Sequence, residues 1–123
     1  MKMKTITFAF AGFVLFSTGA YAAETMDADA VMKLNSGNTV LGLAPNGNTQ
    51  KNYFSPDGKT YRQVGGKILE GTWRVNDDGT QCVEGMPGGC AKIVRNDDGT
   101  YDRVTTEGKA LLKWTSVVNG KDF

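Results

Sequence analysis

The sequence predicts a mainly β protein, an antiparallel up-and-down meander of about eight short strands that closes into a small filled barrel. Turn signals rich in Gly, Asn, Asp and Pro recur at short intervals from residue 45 onward, and the runs between them carry aromatic and β-branched residues. The pentapeptide Asn-Asp-Asp-Gly-Thr occurs twice, at residues 76–80 and 96–100, which indicates two hairpins built on one pattern. Hairpin-length connections make successive strands antiparallel neighbours, and eight of them close most economically into a barrel. A two-layer sandwich or a strongly curled sheet is the alternative.

Residues 1–22 are predicted to be a secretory signal peptide. Lys2 and Lys4 supply the positive start, residues 6–16 are uncharged, and Ala20-Tyr21-Ala22 places small residues at the −3 and −1 positions of a cleavage site. The apolar core of this segment is too short to span a membrane comfortably, so no membrane anchor is expected after cleavage. The remaining residues, 23–123, form a single domain, and we expect it to be periplasmic or secreted.

The charge of the exported chain is close to neutral. Cleavage removes two of the 14 basic residues and none of the 13 acidic ones, which leaves a net charge of −1. Because there is neither a basic excess nor a polybasic run, nucleic acid is not an expected partner.

Eight runs between the turn signals are the predicted strands, and one short helix precedes them. The runs are residues 39–44, 50–55, 60–64, 67–76, 80–84, 90–96, 100–106 and 109–118. The helix lies within residues 23–37, where Asp27 can cap it and Val31 and Leu34 share an apolar face.

The fourth strand supplies the clearest core pattern, because its apolar residues alternate with polar ones. The predicted structural core comprises Leu69, Trp73, Val75, Leu112 and Trp114, joined by Val118, Tyr53 or Phe54, Tyr61, Ile93 and Val104. Gly71 leaves room beside Trp73 for the indole or for a close backbone. These side chains are enough to support the domain and leave few for lining a wide cavity, so the barrel is expected to be filled.

Cys82 and Cys90 are the only cysteines and are predicted to form a disulfide. An exported chain with two cysteines is expected to pair them, and the bridge would close the glycine-rich loop between them. A redox pair or a metal site is the alternative, but the spacing is not C-x-x-C and the chain contains no histidine for a zinc site.

Clustered carboxylates make the duplicated Asn-Asp-Asp-Gly-Thr a candidate calcium loop. An EF-hand loop needs an oxygen ligand at its first position and a Glu at its twelfth, counted from Gly at the sixth. Counted from Gly79 these positions hold Arg74 and Gly85, and counted from Gly99 they hold Val94 and Thr105. We therefore predict hairpin turns, with no metal and no cofactor.

Catalytic arrangements are largely excluded by composition. Without histidine there is no Ser-His-Asp or Cys-His set, and no glycine-rich phosphate loop precedes a helix. A pair of carboxylates such as Glu70 and Glu84 leaves a carboxylate-dependent hydrolase as the weaker alternative. The prediction is a protein that is not an enzyme.

A set of turn and core residues resembles a family of small exported proteobacterial proteins of unknown function. The set is Gly37-Asn38-Thr39-Val40 with Gly42, Tyr53-Phe54 with Asp57-Gly58, Gly66-Lys67 with Gly71 and Trp73, the cysteine pair, and Trp114. The resemblance covers most of the exported chain and implies a periplasmic or secreted location, without a catalytic residue to carry over. Gly71-Thr72-Trp73 also looks like the Gly-x-Trp of lipocalins and avidins, which we attribute to convergent barrel packing.

Two functions follow from these expectations. The first is an exported non-catalytic domain that binds a protein or an envelope glycan through its loops and a sheet face carrying Tyr61, Tyr101 and Arg103. The alternative is a lipocalin-like carrier of a small apolar ligand, favoured by the meander and by Gly-x-Trp.

Overall fold

The computed structural model describes residues 23–123, and the predicted signal peptide lies outside these residues. One helix and nine strands follow one another along the chain. They are β1 (Glu24–Thr25), α1 (Ala28–Asn35), β2 (Asn38–Leu43), β3 (Thr49–Phe54), β4 (Lys59–Val64), β5 (Lys67–Val75), β6 (Gln81–Glu84), β7 (Gly89–Arg95), β8 (Tyr101–Val104) and β9 (Ala110–Asn119). The eight predicted strands correspond to β2–β9 to within two residues at either end.

Strands β2 to β9 form a closed antiparallel barrel. Each strand pairs with the next in sequence, and β9 returns to pair with β2. Strand β1 is additional and pairs with the second half of β7, where Glu24 lies opposite Arg95. The prediction of an up-and-down barrel is confirmed, and the sandwich and curled-sheet alternatives are excluded.

The two copies of Asn-Asp-Asp-Gly-Thr form the same hairpin turn. The N–H of Asn76 donates to the carbonyl of Thr80 at 2.9 Å, and the N–H of Asn96 donates to that of Thr100 at the same distance. Gly79 and Gly99 both have φ of 88°, a left-handed conformation that glycine adopts without strain. The prediction of two hairpins on one pattern is confirmed, and the same backbone bonds recur at residues 44–48, 55–59 and 105–109.

Helix α1 begins after Asp27, as predicted, because the Asp27 side chain accepts a hydrogen bond from the N–H of Ala30 at 2.9 Å. The backbone just before α1 packs against the turn between β5 and β6, since a Cβ at Gly79 would lie 2.8 Å from the Met26 carbonyl oxygen. Asn35 in the last helical turn is buried and bonds to Gln81 inside the barrel. We call this end, with the turns after β3, β5 and β7, the helix end, and the opposite one the open end.

The core centres on three aromatic rings near the helix end. Phe54 packs edge-on against Trp73 with ring centroids 5.3 Å apart, and lies 6.1 Å from Trp114. The side chains of Trp73 and Trp114 are 7 % and 1 % exposed, and Val75 and Leu112 pack against the cluster from its edge. Leu69, the fifth predicted core residue, is half-buried and outside this cluster.

Several predicted core positions are wrong, and one of them has a clear backbone cause. Val118 is 42 % exposed, because the pairing of β9 with β2 skips Thr115 and the resulting bulge turns Val117 inward instead. Tyr61 is half-buried and stacks with Tyr53, with ring centroids 6.4 Å apart, away from the core cluster. Val104 is also half-buried and outside the cluster, whereas Ile93 is buried as predicted.

Gly71 is needed for close backbone packing. A Cβ at this position would clash with the carbonyl oxygen of Glu84, on the strand that pairs with β5. Of the two uses foreseen for this glycine, room for the indole or for a close backbone, the structure shows the second.

In the described part of the chain no helix is long and apolar enough to cross a membrane.

Candidate ligand-binding site

The core fills the barrel at the helix end, and the open end contains a cavity that the prediction of a filled interior did not include. An open cavity of about 400 Å³ extends inward from that end. Its walls combine apolar and polar side chains: Ala44, Gln50, Asn52, Phe54, Arg62, Gln81, Val83, Pro87, Gly88, Arg103, Leu111, Leu112 and Trp114. A volume of this size lies within the range of small-molecule sites in proteins.

Arg62 and Arg103 lie in this cavity because of strand register. Arg62 is opposite Leu69 in the β4–β5 pair, and Arg103 is opposite Ile93 in the β7–β8 pair. Residues directly opposite each other in an antiparallel pair have their side chains on the same face. Since Ile93 is fully buried in the core, Arg103 is directed into the barrel with it.

Arg103 is buried and held by four hydrogen bonds. Its Nε donates to Oε1 of Gln81 at 2.9 Å, and its Nη2 donates to the carbonyl of Gln81 at 3.0 Å. The other two bonds go to the carbonyls of Gly88 at 3.1 Å and Gly89 at 2.9 Å. Burial, with a smaller contribution from the charge of Arg62, lowers the pKa of Arg103 to about 10. The guanidinium therefore stays protonated at neutral pH.

Arg62 lies nearer the mouth of the cavity and makes fewer bonds. Its Nε donates to Oδ1 of Asn52 at 2.6 Å and its Nη1 donates to the carbonyl of Pro87 at 2.7 Å. Partial burial lowers the pKa of Arg62 as well. A Cβ built on Gly88 would lie 3.4 Å from Nη2 of Arg62 and 3.7 Å from Nη1 of Arg103, so the two guanidiniums flank this glycine.

Neither guanidinium has an anionic partner among residues 23–123. The five ion pairs of the described chain all involve other basic groups, and every acceptor bonded to Arg62 or Arg103 is a neutral amide or backbone carbonyl. Charges removed from water are usually paired, because desolvation of an unpaired one is costly. The cavity therefore carries two uncompensated positive charges.

Trp114 lines the same cavity with its ring, while its indole N–H is buried behind the cavity wall. Its side chain is 1 % exposed, and its indole N–H has no acceptor among the described residues. The other indole differs, since Nε1 of Trp73 donates to the carbonyl of Ser55 at 2.8 Å. Buried indole donors usually find a partner, so Trp114 marks a place where an acceptor is missing.

The glycine loop, residues 85–89, forms one rim of the cavity and is fixed at its base by the disulfide. Cys82 and Cys90 lie opposite each other in the β6–β7 pair and are bonded, which confirms that prediction. Arg62 and Arg103 bind the loop from below through its carbonyl oxygens. A structural disulfide is typical of a protein that matures in an oxidising compartment.

The three residues predicted to share a partner-binding face do not do so. Arg103 is inside the barrel, and Tyr101, two residues before it on β8, packs against the core. Tyr61 is instead beside Tyr53, with the ammonium of Lys121 4.9 Å from the centre of its ring. The prediction of one shared face is wrong, because β8 turns Tyr101 and Arg103 inward.

The other candidate residues are occupied in simple surface contacts. Glu70 lies 3.8 Å from Lys59, and Glu84 is paired with Arg74, all four side chains being exposed. Asp78 and Asp98 accept hydrogen bonds from Thr80 and Thr100 within their own turns, and these bonds lower the pKa of each carboxylate. Over residues 23–123 no group of three or more acidic or cysteine side chains is placed to hold a metal ion.

Comparison of the chain with protein-family models, with curated proteins and with solved structures gives no match. The fold and the site nevertheless define a structural class. The protein is a closed eight-stranded antiparallel barrel with a cationic, partly apolar cavity at one end.

Proposed function

We propose that this chain is an exported, non-catalytic binding protein that takes a small molecule into the open end of its barrel. The observation that carries the proposal is the cavity of about 400 Å³, whose apolar walls and convergent polar groups are typical of small-ligand sites. The N-terminal sequence pattern and the Cys82–Cys90 disulfide support a periplasmic or secreted location.

The polar groups of the cavity are suited to binding rather than to chemistry. They are the side-chain amides of Gln50, Asn52 and Gln81 and the guanidiniums of Arg62 and Arg103. Amides do not titrate, and a guanidinium remains protonated at neutral pH, so none of these groups exchanges protons readily there. Hydrogen-bonding and charge recognition are what such a set offers.

Binding of a protein or an envelope glycan is the second candidate, favoured by one feature of the barrel's outer surface. Tyr53 and Tyr61 stack there, and Lys121 lies over the ring of Tyr61. Aromatic rings next to a cation form a platform that suits a polar partner with an apolar face. This patch is independent of the cavity.

Native mass spectrometry tests the first proposal. The protein is purified from the periplasm and incubated with the low-molecular-weight fraction of an envelope extract. We expect the mass to exceed that of the chain by one retained small molecule. Ala44→Phe, which fills the cavity rim, should abolish this added mass, whereas Ser116→Phe, at an exposed site on β9, should keep it. An added mass that survives Ala44→Phe, or none in the parent protein, would overturn the proposal.

A further inference from the structure

We infer that the cavity binds a small amphipathic carboxylate, with its charged head at Arg62 and Arg103 and its apolar body against Phe54, Leu112 and Trp114. The inference rests on the proposed function and names the chemical class of its ligand. Three independent features of the cavity carry it: its charge, its unused donors and the nature of its walls.

The two positive charges of the cavity favour an anionic ligand. Two guanidiniums flank Gly88 within the cavity, and residues 23–123 provide neither with a carboxylate. Like charges held close together in a partly dehydrated site repel each other, and a bound anion would relieve the repulsion and replace the lost hydration. A neutral apolar ligand would leave both guanidiniums without a counterion and would displace water that hydrates them.

The unused donors indicate where the head group binds. A guanidinium has five N–H donors; Arg103 uses four and Arg62 uses two. Arg62 therefore retains a pair of donors on Nη2 and one on Nη1, the fork that matches the two oxygens of a carboxylate. Arg103 retains one N–H and acts mainly through its charge.

The ring of Trp114 forms part of the cavity wall, but its indole N–H is buried behind that wall and has no acceptor among the described residues. The charged donors that a ligand can reach are therefore the unused N–H groups of Arg62 and Arg103. An ionised carboxylate, which only accepts hydrogen bonds, suits such donors.

The walls and the loop carbonyls select among anions. Phe54, Val83, Leu112 and Trp114 provide apolar surface, so the ligand has an apolar body as well as a head. The carbonyl oxygens of Pro87, Gly88 and Gly89 lie at the guanidiniums and would repel excess negative charge. With most donors of Arg103 already used, a singly charged, two-oxygen head fits better than a phosphate with three acceptor oxygens.

Titration of the parent protein with three ligands of one chain length tests the inference. Octanoate, 1-octanol and octyl phosphate are compared by isothermal titration calorimetry at neutral pH. We expect octanoate to bind about tenfold or more tightly than 1-octanol, the difference due to charge-assisted bonds, and more tightly than octyl phosphate. Equal affinity for octanoate and 1-octanol would overturn the inference but keep the proposed function. Tighter binding of octyl phosphate would overturn the carboxylate assignment. Binding of none of the three would overturn the inference alone, because the added mass in native mass spectrometry tests the proposed function separately.

Substitutions locate the head group. Arg62→Gln should weaken octanoate binding about tenfold and leave 1-octanol binding within about twofold. Arg74→Gln is the matched control, since Arg74 is exposed and paired with Glu84 on the outside of the barrel. Equal loss of octanoate affinity in both variants would contradict the assignment. The comparison of ligands in the parent protein decides the ligand class even if Arg62→Gln does not fold.

Discussion

The two tryptophans can be compared directly, because they occupy similar positions in the core and differ in one hydrogen bond of the indole. Trp73 and Trp114 both pack against Phe54 and are almost completely buried. Nε1 of Trp73 donates to the carbonyl of Ser55, whereas Nε1 of Trp114 has no acceptor among residues 23–123. Replacement of each by Phe removes the same atoms from each side chain. We expect Trp73→Phe to be clearly less stable than Trp114→Phe in the ligand-free protein.

The magnitude follows from the hydrogen bonds. Trp73→Phe loses a bond whose net contribution is about 1 kcal/mol, whereas Trp114→Phe removes a buried unpaired donor that costs the folded state about 1 kcal/mol or more. The loss of packing is similar in both, so the variants should differ by about 2 kcal/mol in the free energy of unfolding. Complete truncation, Trp73→Ala, should cost about 3–5 kcal/mol.

Urea unfolding monitored by far-ultraviolet circular dichroism measures this difference without depending on the remaining indole. Arg74→Ala is the control for a change on the same strand, and it should stay within about 0.5 kcal/mol because the side chain is exposed. If Trp114→Phe were as destabilising as Trp73→Phe, then the indole of Trp114 would have an acceptor in solution.

Two further predictions concern the loop and the turns. Cys82→Ala combined with Cys90→Ala should lower the free energy of unfolding by about 2.5 kcal/mol, from the chain entropy of a short closed loop; an unchanged urea midpoint would contradict this. For Asp78, hydrogen bonds from Thr80 hold the pKa below its ordinary value, so its stabilising contribution is present above the ordinary value and is lost as the pH falls from there through the lowered pKa. Urea midpoints between pH 6 and pH 3 should therefore fall more in the parent than in Asp78→Asn, and parallel curves would show that the bond is absent.

The barrel itself could be predicted because its turns are encoded locally. Each hairpin of the Asn-Asp-Asp-Gly-Thr type needs a glycine in the left-handed conformation and a side chain that caps the backbone, and both are visible in the sequence. The cap of α1 at Asp27 is equally local. Strand boundaries then follow from the turns, which is why they agree to within two residues.

Features that depend on long-range geometry were not predictable in the same way. The bulge at Thr115 depends on how β9 meets β2, 70 or more residues away in sequence, so the outward position of Val118 was missed. The cavity depends on how far side chains from opposite walls reach, which a count of apolar residues does not reveal. For that reason the expectation of a filled barrel did not include the cavity at the open end.

The inward position of the two arginines is different, because the sequence contains the signal for it. A two-residue turn at Gly65-Gly66 sets Val64 opposite Lys67 and hence Arg62 opposite Leu69, a residue expected to face inward. The duplicated turn likewise places Ile93 opposite Arg103, just as its first copy places Val75 opposite Gln81.

Assignment by polarity alone places Arg103 on an outer face, since charged side chains are usually solvated. Register overrides polarity here, because one shift by a single residue would expose Ile93 together with the rest of its face. The strand pairing thus places both guanidiniums inside the barrel. Burial of the two guanidiniums costs desolvation free energy, and residues 23–123 provide no counterion for either of them. This cost is the physical reason to expect an anionic ligand.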